Sequence, residues 1–153
     1  MSEQNRIRQA VAEDEGAVRA CAEQAYAPYV AVIGRKPAPM SADYGAQIAA
    51  GQVYVCTGEG GELQGFIVFF AVDRHMLLEN VAVAESARGQ GVGKRLIGFC
   101  EDQALRMGLG SVQLYTNARM TENLAIYPKL GYLEVDRRLE DGFDRVYFEK
   151  TLI

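Results

Sequence analysis

Histidine occurs once in the 153 residues and cysteine three times, which leaves little material for a metal centre or a disulfide framework. Cys21, Cys56 and Cys100 are odd in number, far apart and not in paired ligand spacing, so they read as reduced core thiols. With His75 alone, a zinc site has no ligand set, and no metal is expected. Long apolar runs are missing as well: no window approaches the roughly 18 residues that a membrane span needs. The opening "MSEQNRIRQAVAEDEG" is polar where a secretory leader would be basic and then apolar. The expectation is a cytoplasmic chain without a membrane partner. A net charge of −4 argues against gripping nucleic-acid backbone as a main activity, so no nucleic-acid partner is expected.

The 49% hydrophobic content is enough for a core, and 153 residues without repeats or linker-like stretches suit one domain over 1–153. Element types alternate along it. A short strand near Ile7 leads into a helix whose Val18, Cys21, Ala22, Ala25, Tyr26 and Tyr29 recur at helical spacing until Pro28 disturbs it. In "GRKPAPMSADYGAQIAAG" two prolines predict a loop, and Ser41 is the candidate N-cap of a short helix ending near Gly51. "VYVCT", a "GEGG" turn and "LQGFIVFFAV" predict two antiparallel strands. "MLLENVAV" is a third strand, after an Asp73-Arg74-His75 turn. Beyond the next glycines, Val92, Leu96, Phe99, Cys100, Ala104 and Met107 form one apolar stripe of a helix. The strand "SVQLYT", the short helix "TENLAIYPKLG" and a hairpin of "YLEVD" with "RVYFEKTLI" about Asp141-Gly142 complete the chain.

The stretch "ESARGQGVGKRLIGFC" sets three alternating glycines at the start of the long helix. A helix's first turn leaves backbone N–H groups without intrahelical partners, its dipole adds positive potential, and glycines let an anion approach. Two nucleotide fingerprints fail by residue. A P-loop needs glycine where Arg88 stands and Ser or Thr where Arg95 stands; a dinucleotide loop needs a wider final spacing in a first βα turn.

What remains is Arg88-x-x-Gly91-x-Gly93 behind "LLENVAV", with "AIYPKLGY" downstream, and these residues in this order resemble the GNAT superfamily of acyl-CoA-dependent N-acyltransferases. The resemblance covers essentially the whole chain. It implies an α/β (α+β) fold: a mixed, mostly antiparallel sheet of six to seven strands flanked by about four helices, with two strands splayed at the cofactor site. It implies acetyl-CoA as co-substrate, with its pyrophosphate cradled by backbone of Arg88, Gly89, Gln90, Gly91, Val92, Gly93 and Lys94. Pantetheine would then pair with main chain at Val81 and Val83. Tyr127 matches the family's tyrosine that protonates the departing sulfur, and Glu79 stands where a glutamate often takes the ammonium proton; His75 is the other base candidate. Many members carry Asn seven residues before the tyrosine, where this chain has Met120, so Asn123 or Asn117 is the replacement, and Asn117 reads equally as a turn residue.

The family's acceptor side falls on the first helix and the loop after it, here Tyr26, Tyr29, Arg35, Lys36, Met40 and Tyr44. Aromatic walls with a guanidinium suit a small, amino-acid-like amine that also bears a carboxylate. A protein N-terminus or lysine as acceptor, a non-catalytic acyl-CoA sensor and a homodimer are the other readings the resemblance leaves open.

Overall fold

The computed structural model describes residues 6–152. Its seven strands hydrogen-bond in the order β1-β2-β3-β4-β5-β7-β6. The β4–β5 pair is parallel, whereas β1–β2, β2–β3, β5–β7 and β6–β7 are antiparallel. With five α-helices, the architecture is the mixed α/β sheet the sequence predicts. The chain divides into two compact units. One runs to Phe69 and resumes over Asn80–Phe99; the other takes Phe70–Glu79 and Cys100 onward.

The first unit holds β1 (Ile7–Gln9), α1 (Glu15–Tyr26), α2 (Tyr29–Ile33), α3 (Tyr44–Ala49) and β2 (Val53–Thr57). It also takes most of β3 (Leu63–Val72), the end of β4 (His75–Val83) and the opening of α4 (Val92–Arg106). The i, i+3, i+4 spacing of Val18, Cys21 and Ala22 gives α1 one apolar face. That face packs with Tyr44 and Ile48 of α3 on Val53, Val55, Phe66 and Val68. Each such large side chain removed from water contributes about 1.5–3 kcal/mol. Tyr54 stacks on Phe69 at 5.0 Å, and Phe99 of α4 packs on Tyr54 at 5.0 Å.

The second unit comprises the start of β4, the rest of α4, β5 (Ser111–Asn117), α5 (Thr121–Lys129), β6 (Leu133–Glu140) and β7 (Phe143–Thr151). Val112, Leu114, Val146 and Phe148 alternate inward, as period-two strands require. The parallel pairing matches His75–Leu78 with Ser111–Leu114; although β5 continues to Asn117, the register ends there.

Four local expectations need correction. Ser41 ends a single 3-10 turn, and the N-cap of α3 is Asp43, whose carboxylate accepts the Ala46 N–H at 3.0 Å. Met107 lies past the end of α4 and is 57% exposed, because the helix stops before Gly108 at φ +76°. His75 belongs to strand β4, opposite Ser111, and not to the turn. The first helix breaks at Tyr26, and Tyr29 opens α2 after Pro28.

Candidate active site

The glycine loop is shaped by backbone conformation. Gly89 (φ +78°) and Gly91 (φ +77°) are left-handed on either side of Gln90, and a side chain at either would be strained. A Cβ on Gly89 would meet nothing within 4 Å, so the loop's surface is open where an anion would approach. The helical ladder starts at Arg95 N–H to Gly91 O, 3.0 Å. The amides of Val92, Gly93 and Lys94 therefore precede it, at the positive end of the α4 dipole. Arg95 Nη1 donates to Gln90 O at 2.9 Å and staples the loop to the helix. Arg88 and Lys94 are exposed beside it. Left-handed glycines ahead of a helix N-terminus let an anion come close to N–H groups that lack helical partners, and these residues fit a pyrophosphate.

Gly65 of β3 was not singled out by sequence reasoning. A Cβ there would stand 2.8 Å from Ala82 O and 3.0 Å from Val92 Cγ1, so its absence lets β4 and the first turn of α4 come together. A glycine inside an apolar strand run was the available signal.

Val81 and Val83 are half-buried near the end of β4. Between Glu79 and Val81 lies Asn80, buried to 7% exposure. Its Oδ1 receives the Tyr26 hydroxyl at 2.5 Å, and its Nδ2 donates to the Tyr44 hydroxyl at 2.8 Å. The Tyr26 oxygen also stands 3.1 Å from Val81 O, and Tyr44 donates to Pro39 O at 2.5 Å. Tyr44 is fully buried, with its ring edge-on to Phe66 at 5.4 Å. Tyr29 is half-buried on α2, and Arg35 is exposed just past its Gly34 cap.

In the second unit, Tyr127 sits in the last full turn of α5. Pro128 can offer no N–H, and the helix closes with the N–H groups of Leu130 and Tyr132 both on Tyr127 O, at 3.0 and 3.1 Å. The Tyr127 ring packs between Tyr132 and Phe148, with centroids 5.9 and 5.8 Å away, and burial pushes its phenol up to about 12. Glu79 is half-buried; its carboxyl is raised by desolvation, and the Arg145 guanidinium pulls in the opposite direction. Arg145 itself lies over Tyr115 at 4.6 Å and Phe143 at 5.4 Å, with Glu140 and Asp141 at 3.7 and 3.8 Å. This aromatic and acidic setting of Arg145 has no sequence signature, because the strands that build it are distant in the chain. Asn123 Nδ2 donates to Thr116 Oγ1 at 3.1 Å and reaches Met120 Sδ at 3.6 Å, tying α5 to β5. Asn117 Oδ1 accepts the Arg119 N–H at 2.8 Å, the side-chain turn that was one of its two readings.

Residues 11–132 match the family model described as Acetyltransferase (GNAT) family. A mycothiol acetyltransferase of Jonesia denitrificans is 32% identical over 83 residues, 53% of this chain; the match covers only about a quarter, 26%, of that relative's length. Among solved structures, the PaiA N-acetyltransferase of Thermoplasma acidophilum in complex with coenzyme A is similar at a TM-score of 0.80. It has 19% identity over 95% of this chain and 98% of that one. The ribosomal-protein-S18-alanine N-acetyltransferase of Escherichia coli is similar at 0.72, with 20% identity over 95% of this chain and 92% of that one. At those identities the two structures speak for the fold.

Proposed function

Since the chain belongs to the GNAT acetyltransferase family, we propose that residues 1–153 act as one N-acetyltransferase domain that moves an acetyl group from acetyl-CoA to a primary amine. The observation that carries this reading is the open, left-handed glycine loop at the head of α4, an anion cradle in the place where the family holds coenzyme A. In this proposal the amides of Arg88 to Lys94 hold the pyrophosphate, and main chain at Val81 and Val83 aligns the pantetheine. Arg88 and Lys94 add side-chain charge, and Asn123 ties α5 to β5.

The transfer is direct. The neutral amine nitrogen bonds to the thioester carbonyl carbon, the carbon–sulfur bond breaks, and the electron pair leaves on sulfur. Glu79 receives the ammonium proton, through water if the two do not touch, and burial makes it a better base than an exposed glutamate. Tyr127, at about 12, stays protonated at neutral pH. Burial holds its phenol above the thiol's range, so full proton transfer to the thiolate is uphill and it serves the departing sulfur first as a hydrogen-bond donor. The acceptor is an amino-acid-like small amine, met by Tyr29 and Arg35, with Tyr26 and Tyr44 shaping the segment between them.

Acetyl-CoA at a hundred times its Kd should stabilise the protein by about 2.7 kcal/mol and raise its melting temperature, while ATP and NAD should not. Equal stabilisation by ATP would sink the donor assignment. An amine panel read by free-thiol release identifies the acceptor. Stabilisation with no thiol release from any amine would leave an acyl-CoA-binding protein in place of an enzyme.

A further inference from the structure

The chemistry of the hydroxyl contacts fixes the direction of the network around Asn80. Pro39 O cannot donate, so the single Tyr44 proton goes to it, and the Tyr44 oxygen faces Asn80 only as an acceptor. That orients Nδ2 of Asn80 toward Tyr44 and turns Oδ1 toward Tyr26, whose proton it takes at 2.5 Å. The relay runs from α1 through β4 to the start of α3 and ends on the carbonyl of Pro39, inside the segment between Gly34 and Asp43. The same segment is held elsewhere by Arg19 Nη1 on Ala42 O, 3.3 Å, and by the Asp43 cap of α3. Its Arg35 and Lys36 are exposed. A buried amide that uses both its donor and its acceptor on two different elements is costly to leave half-satisfied, so it holds one arrangement.

We propose that Asn80 is a positioning residue that latches the Gly34–Asp43 segment onto β4 through Tyr44, and thereby sets the acceptor side of the site. The inference rests on the acetyltransferase reading for its kinetic consequence and on the hydrogen-bond relay alone for its structural one. The relay ends on Pro39 O, inside the Gly34–Asp43 segment of the acceptor side, and the latch therefore acts on the acceptor and not on donor binding.

Tyr44→Phe keeps the ring packed on Phe66 and removes only the hydroxyl; Asn80→Ala removes the relay's centre. Trypsin has one accessible bond here, after Arg35, since Pro37 blocks cleavage after Lys36. Both variants should be cut after Arg35 about 3- to 10-fold faster than wild type, the scale on which a buried hydrogen bond contributes, and their effects should not add in the double variant. The KM for the amine should rise by a similar factor, with kcat and the acetyl-CoA dissociation constant within about twofold of wild type. Unchanged cleavage after Arg35 in Tyr44→Phe overturns the latch, as does a fall in kcat at constant acceptor KM. If Asn80→Ala does not fold, Tyr44→Phe decides alone. If wild type acetylates no amine, the enzyme reading fails while the cleavage arm still decides the latch.

Discussion

At the scale of single residues, the proposed transfer makes opposite demands on the protonation of Glu79 and Tyr127. The Glu79 carboxyl is raised above its ordinary 4.5, so activity that needs its ionised form falls as pH drops through a value above 4.5. Arg145 pulls that carboxyl down, so Arg145→Gln should move the acid limb to higher pH, and Glu79→Gln should abolish the limb, in profiles of kcat/KM. A limb that stays put in Arg145→Gln would separate the two groups. Stability runs the opposite way: a raised folded-state value means the native form binds the proton more tightly. Glu79's contribution is therefore present at low pH and lost as pH rises through that value, and Glu79→Gln should be the more stable protein at pH 7. Tyr127→Phe should lower kcat by on the order of 100-fold with the acetyl-CoA affinity kept, as measured by steady-state kinetics beside calorimetry. Tyr127 stood out as a candidate from its place in "AIYPKLGY". Arg145 and Asn80 were not, because their partners lie on other strands and helices, and only the paired register brings those elements together.

At the scale of elements, local rules read best where a single residue type is required and worst where several could serve. The αL glycines ahead of α4 could be placed because no other residue takes that conformation cheaply. The start of α3 could not, since Ser41 and Asp43 are both good N-caps, and only the fold shows that Ser41 closes the preceding 3-10 turn while the Asp43 carboxylate accepts the Ala46 N–H. Asp43→Ala should cost about 1 kcal/mol. In a chain of this size that lowers the melting temperature by about 2–4 °C, and Asp43→Ser should recover most of it in a thermal scan. An unchanged melting temperature in Asp43→Ala would return the capping role to another residue. Strand β6 was read short, as "YLEVD", because its remaining Arg137, Arg138, Leu139 and Glu140 do not alternate. It is an edge strand with Leu133, Val135 and Leu139 exposed, and the charges and the register shift between Glu134 and Asp136 are what keep such an edge from pairing further.

For the molecule as a whole, the order of strands and helices followed from periodicity, a property each segment carries by itself. The parallel β4–β5 pair, with α4 as its crossover, is the one connection that needed the long helix. The thiols answer to the same large-scale burial. Cys21, Cys56 and Cys100 are free and buried, and desolvation pushes Cys21 up to about 11 and Cys100 further in the same direction. Since the thiolate is the reactive form, a disulfide reagent such as Ellman's should label none of the three until the fold opens, and all three together in denaturant. Rapid labelling of one thiol in native protein would mark a local opening around it.

Solvent exposure is the usual guide to which positions a protein can change freely, and the head of α4 reverses it. Gly89 and Gly91 are exposed and nearly free of neighbours, yet their backbone angles admit almost no other amino acid. In a saturation library these two open positions would be depleted like core residues, and any ranking of tolerance by accessibility would misplace them. A tightly constrained stretch of the chain therefore lies on its surface.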